Sequence, residues 1–141
     1  MHNCWIIEDA SNANILFNII NDPEMIIISV DGMKVNTKDT FFEQLEKSLL
    51  FPGKCEGMYA RFEDWMTDLS WIPQEKGICI YINAYDDFLK RDSENKVIIE
   101  EIFKENILPF WDGDVLKYVK GGKTRRFFVI TKLENCNSAH L

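Results

Sequence analysis

The sequence predicts an α/β fold: a small parallel sheet of three main strands packed by helices, with an extra N-terminal strand–helix element and a C-terminal hairpin. Three observations predict it. The runs at 25–30 (Met-Ile-Ile-Ile-Ser-Val), 78–82 (Ile-Cys-Ile-Tyr-Ile) and 127–130 (Phe-Phe-Val-Ile) are short, apolar and rich in β-branched or aromatic residues, as strands buried on both faces are. Long stretches of helical periodicity separate these runs, which demands crossover connections and therefore parallel pairing. The 141 residues are 46% hydrophobic and 13% aromatic, enough to fill the core of one domain.

Taken in order, Trp5-Ile6-Ile7 is a first short strand, and Leu16, Phe17 and Ile20 recur at helical spacing until Asn21-Asp22-Pro23 stops them. The strand at 25–30 ends in an Asp31-Gly32 turn. Thr37 is placed to cap a helix with Phe41, Phe42, Leu45 and Leu49 on one face and an i,i+4 pair between Glu43 and Lys47. Pro52-Gly53 ends that helix. The stretch 55–73 follows, opened by a Gly and closed by a Pro. As a helix it puts Met58, Phe62, Trp65, Met66 and Leu69 on one face and Ala60, Arg61, Glu63, Asp64, Thr67 and Asp68 on the other. After the strand at 78–82, residues 83–89 read as a short helical turn. Asp92-Ser93 caps a helix carrying Ile98, Ile102 and Phe103 inward, and Pro109 ends it. Residues 115–119 and 125–131 read as extended segments around Gly121-Gly122. Domain organisation is then one unit over 1–141: an N-terminal element at 1–24, a core at 25–132 and a flexible tail at 133–141.

Charge bounds the partners. The net charge is −7. Six basic residues against one acid give residues 114–132 a local +5, so the remainder carries −12. A polyanion or an anionic membrane is a poor partner for such a surface, and a basic protein a good one. Cys4, Cys55, Cys79 and Cys136 are scattered, and the two histidines, His2 and His140, lie at the extreme ends, so no zinc spacing arises. Reduced thiols and the absence of a signal sequence place the chain in the cytoplasm. No apolar run nears the roughly 18 residues of a spanning helix.

An ordered set of motifs resembles a known family. Val30-Asp31-Gly32, a capped helix, Phe51-Pro52, then Phe62-x-Asp64-Trp65-Met66-x-Asp68-Leu69-Ser70-Trp71-Ile72-Pro73, then a strand and Asn83-Ala84-x-Asp86-x-Phe88-Leu89 are similar to the barstar family, over about residues 25–130. The family's namesake is the intracellular inhibitor of the secreted ribonuclease barnase. The resemblance implies a three-stranded parallel sheet packed by helices, a binding protein rather than an enzyme, no cofactor and no metal. It implies an acidic helix and its preceding loop placed in the cationic active site of a basic protein partner, a ribonuclease or other nuclease toxin, as an immunity protein would do. Asp64 matches the family's dominant acidic position and Thr67 another contact residue. Ala60 stands where the family carries a further acid, and Glu63 and Trp65 match its flanking aromatic loosely. Lys54-Cys55 replaces paired aromatics in the loop, with one residue inserted. Val97 stands where a later helix opens with Glu, and Glu94 is near but out of register. The expected contact set is Glu56, Gly57, Tyr59, Ala60, Glu63, Asp64, Thr67 and Asp68.

Other readings of the same residues stay open at this level. The polar side of 55–73 is also what a solvated helix face looks like, with Arg61 screening Asp64. Asp64 and Asp68 have the spacing of paired carboxylates for acid–base or metal chemistry, yet no internal His or phosphate-cradling loop accompanies them. Tyr59, Trp65 and Trp71 could form the aromatic edge of a non-inhibitory scaffold domain. The basic run is a solvated hairpin, a dock for another copy's acidic surface, or a weak nucleic-acid contact. The oligomeric state is not written in the sequence.

Overall fold

In the computed structural model, which describes residues 1–134, four strands form one all-parallel sheet in the order β1-β4-β3-β2. The strands are β1 (Cys4–Ile7), β2 (Met25–Asp31), β3 (Gly77–Asn83) and β4 (Phe127–Thr131). The helices are α1 (Ala13–Ile20), α2 (Lys38–Ser48), α3 (Tyr59–Met66), α4 (Ser93–Ile102) and α5 (Val115–Tyr118), with two π-helical segments, Phe103–Ile107 and Phe110–Asp114, between the last two. The expected strand–helix element at the N-terminus is present. Its strand pairs with β4, so the sheet has four strands rather than three. The tail expected over 133–141 lies, from 135 onward, outside the described residues.

Alternation along the strands builds two cores. Ile78, Ile80 and Ile82 of β3, with Phe127 and Val129 of β4, join Phe41, Phe42, Phe62, Phe88 and Phe103 in the larger core. Cys79, Phe128 and Ile130 join Leu16 and Ile19 of α1 in the smaller one. The sheet thus lies between α1 and the other helices.

Several expectations are corrected. β2 is an edge strand with Ser29 exposed, not a strand buried on both faces. Its open edge is partly closed by Gln44, whose Nε2 donates to the Ser29 carbonyl at 2.8 Å. The short helical turn expected at 83–89 is present beyond the end of β3, where the Phe88 N–H donates to the Ala84 carbonyl at 3.2 Å. Pro109 does not end the long helix, which runs on to Tyr118. The π turn ahead of Pro109 bonds the Leu108 N–H to the Phe103 carbonyl, and such a widened turn relieves the clash a proline ring makes in an α-helix. No C-terminal hairpin forms: 115–118 is the helix end and 119–126 carries no strand. Val115 is 3% exposed in the helical packing, which overrides its β propensity.

The Asp31-Gly32 turn fixes the end of the sheet. Gly32 donates its N–H to the Asn83 carbonyl at 3.0 Å. A Cβ there would lie 2.2 Å from the Asn83 oxygen and 2.3 Å from that of Ala84, so only glycine fits.

Candidate functional site

α3 and the loop before it are held from beneath. Phe62 and Met66 are fully buried, and Phe62 stacks on Phe42 of α2 with ring centroids 4.3 Å apart. The loop is pinned where the Cys55 N–H donates to Glu46 Oε2 at 2.7 Å. Burial, with Glu46 nearby, pushes the Cys55 thiol up to about 12. Glu56 and Gly57 then take left-handed φ values of 52° and 72°, turning the chain into the helix. That conformation is costly for Glu56, a non-glycine residue, and Arg61 pins its carboxylate at 2.7 Å. The helix spans only Tyr59–Met66, shorter than the periodic stretch suggested.

The exposed side of α3 carries Ala60, Arg61 and Asp64, and Asp68 is exposed just beyond its end. Asp64 has no hydrogen bond or ion pair among the described residues, because Arg61, expected to screen it, is turned to Glu56. Among the described residues Asp68 accepts only the Ser70 N–H, at 3.3 Å. Asp64, Asp68 and Glu56 share a cleft of about 440 Å³ with Gly53, Lys54, Arg61 and Trp65. Gly53 lies flat against the indole, since a Cβ there would be 3.2 Å from Trp65 Cζ2. Trp65 is half-buried and packs edge-on against Trp71 at 5.7 Å. Trp71 in turn donates its Nε1–H to the Leu49 carbonyl at 2.7 Å. Both tryptophans are therefore committed to the wall under the loop.

The remaining expected residues divide. Tyr59 and Glu63 turn toward the long helix: the Tyr59 hydroxyl donates to the Asn95 side chain, and Asn106 Nδ2 donates to Glu63 Oε1 at 2.7 Å. Burial, and then Asp92, push the Tyr59 hydroxyl up to about 12. Thr67 caps α3 and donates its hydroxyl to the Glu63 carbonyl at 2.7 Å. Gly57 belongs to a second groove of about 370 Å³ on the far side of the loop, where Asp39, Glu43 and Glu46 of α2 add three carboxylates. The sequence reading missed those acids as site candidates. It paired Glu43 with Lys47, but no such ion pair forms among the described residues, and both side chains line the groove. Asp39 and Glu43 at i,i+4 were the available signal, but which loop they would face was not.

The cleft sets three carboxylates against two cations, Lys54 and Arg61, beside the Trp65 indole, so its balance of charge is negative. A family model described as Barstar (barnase inhibitor) matches residues 25–114. The matched span holds β2, α2, α3, β3, α4 and both π segments, and leaves out β1, α1, α5 and β4. No curated protein matches the sequence. Among solved structures, the Aeropyrum pernix ORC2 protein (ADPNP–ADP complexes) is similar at 11% identity and a TM-score of 0.47, over 98% of this chain and 36% of that one. A likeness of that size bears on neither fold nor function here.

Proposed function

The chain belongs to the barstar family, and from that premise we propose that it binds and inhibits a basic protein partner, a ribonuclease or other nuclease toxin, by setting the exposed side of α3 and the 53–57 loop into the partner's cationic active site. The observation that carries the reading is Asp64: a carboxylate exposed on α3, unpaired among the described residues, and flanked in one cleft by Glu56 and Asp68. A nuclease site built from Arg, Lys and His is complementary to that arrangement in sign. Because Asp64 has no partner among the described residues, docking there breaks no ion pair that they make. Ala60 and the Lys54-Cys55 loop give the surface a different outline from the family pattern, which fits a partner other than barnase. The family is one of inhibitors rather than catalysts. No described helix is long and apolar enough to cross a membrane, and an immunity role would be exercised in the cytoplasm.

The test is titration of the protein against a panel of basic ribonucleases at low and moderate salt, reading residual RNA cleavage. Inhibition is expected to weaken as salt rises. Asp64→Ala is expected to lose about 30-fold or more in affinity, the scale of an interface hot spot. A variant that inhibits a captured nuclease as tightly as the parent at low salt would sink the site assignment. Salt-insensitive binding would instead favour an aromatic scaffold surface around Trp65.

A further inference from the structure

We propose that residues 115–123 form a second docking surface, and that its occupant is the acidic α3 face of a second copy of this chain. Leu116, Tyr118 and Val119, at the end of the long helix, are 61%, 78% and 44% exposed. Lys117, Lys120 and Lys123 are exposed in the same segment, and none of them forms an ion pair among the described residues. The segment is held in shape. Val119 donates its N–H to the Val115 carbonyl at 3.1 Å and Gly122 to the Val119 carbonyl at 2.9 Å. Gly121 sits at φ +73°, and a Cβ on Gly122 would lie 2.5 Å from the Val115 oxygen.

This patch adjoins the acidic cleft. Thr67 and Asp68 form one wall of a groove of about 520 Å³ whose other wall includes Val119, Gly121 and Lys123. Lys123, from the cationic segment, and Asp68, beside the anionic face of α3, therefore line the same groove. That is the geometry an isologous contact needs: about a two-fold axis, each α3 meets the other copy's 115–123 segment, and the reverse contact follows by symmetry. A second copy fits better than a nucleic acid. Asp68, in one groove with Lys123, would repel a polyphosphate, and Leu116, Tyr118 and Val119 gain little against one. The second copy brings both the carboxylates and the cover for these three side chains. A consequence that rests on the inhibitor reading is that this dimer and the nuclease complex exclude one another.

Sedimentation velocity of the full chain tests the proposal without any nuclease, so its failure and that of the inhibitor reading are separable. At about 0.01 M salt the parent is expected at twice its 16.5 kDa chain mass; at about 1 M, where the Debye length falls from about 30 Å to about 3 Å, it is expected to dissociate. K117E/K120E/K123E alone and D64K/D68K alone are each expected to be monomeric at low salt. Mixed in equal amounts, they should form a heterodimer, because one of its two contacts then keeps the parent charges and the other has both charges reversed. A parent that is monomeric at low salt overturns the proposal, as does a dimer that survives both sets of reversals. A monomeric parent that binds single-stranded RNA, with the binding lost in the triple-lysine variant, overturns it in favour of a nucleic-acid surface.

Discussion

Arg125 donates through Nη1 to the carbonyls of Pro73 and Lys76, at 3.0 and 2.7 Å, and through Nη2 to those of Leu69 and Ile72, both at 3.3 Å. It is 4% exposed, and its guanidinium lies 5.1 Å from the centre of the Trp111 ring. Burial holds its pKa below the usual arginine range, and the four carbonyls supply the polar surroundings that water would otherwise give. These acceptors are the backbone that follows α3, so one cation fixes the chain leaving the candidate site. Arg125→Met would strand them, with an expected loss of about 3 kcal/mol or more in urea unfolding. Arg125→Lys should recover only part, because an ammonium cannot span the fork. If Arg125→Met left the unfolding midpoint unchanged, this role would be wrong.

At the scale of elements, the long helix positions α3 because it is not a uniform α-helix. Asn106 reaches Glu63, and Trp111 donates its Nε1–H to the Met66 carbonyl at 2.8 Å. Residues five apart diverge by about 140° around an α-helix. The two π segments, with their i→i+5 bonding, bring both side chains onto the flank of α3. Trp111 thereby satisfies a carbonyl at the end of α3 that the helix cannot satisfy itself. Trp111→Phe keeps the ring and removes the donor. It is expected to cost about 1–2 kcal/mol and to raise amide exchange over 66–69 more than over β3. Uniform exchange changes across both elements would argue against this specific link.

For the molecule as a whole, the sheet depends on residues outside the span matched to the family. β1 pairs with β4 through four residues, and α1 supplies Leu16 and Ile19 over Cys79, Phe128 and Ile130. Without residues 1–24, β4 becomes an edge and those three side chains meet water. Uncovering a large apolar side chain costs roughly 2 kcal/mol, so losing the cover of Phe128 and Ile130 takes a sizeable share of the about 5–15 kcal/mol that holds a domain folded. A protein starting at residue 25 is therefore expected to lose cooperative unfolding and to bind a hydrophobic dye. Cooperative melting of that truncated chain near the parent temperature would show that the N-terminal element is dispensable.

The positions of the strands, their parallel pairing, the Thr37 cap and the burial of Phe62, Met66 and Leu69 were legible in the sequence, because β-branched runs and 3.6-residue periodicity report local geometry and burial together; Met58, expected on the same face, is exposed. The exposed acids Asp64 and Asp68 were legible for the same reason. Tertiary structure decided the rest. It drew 115–118 into a helix by burying Val115, carried the helix through Pro109, and turned Arg125 from a member of a basic run into the buried anchor of the chain after α3. It also divided the expected contact set, sending Tyr59 and Glu63 to Asn95 and Asn106 and leaving Asp64 unpaired beside Glu56 and Asp68. Periodicity names the face of one helix; which partner that face meets depends on the register of a second element, and neither segment encodes that register alone.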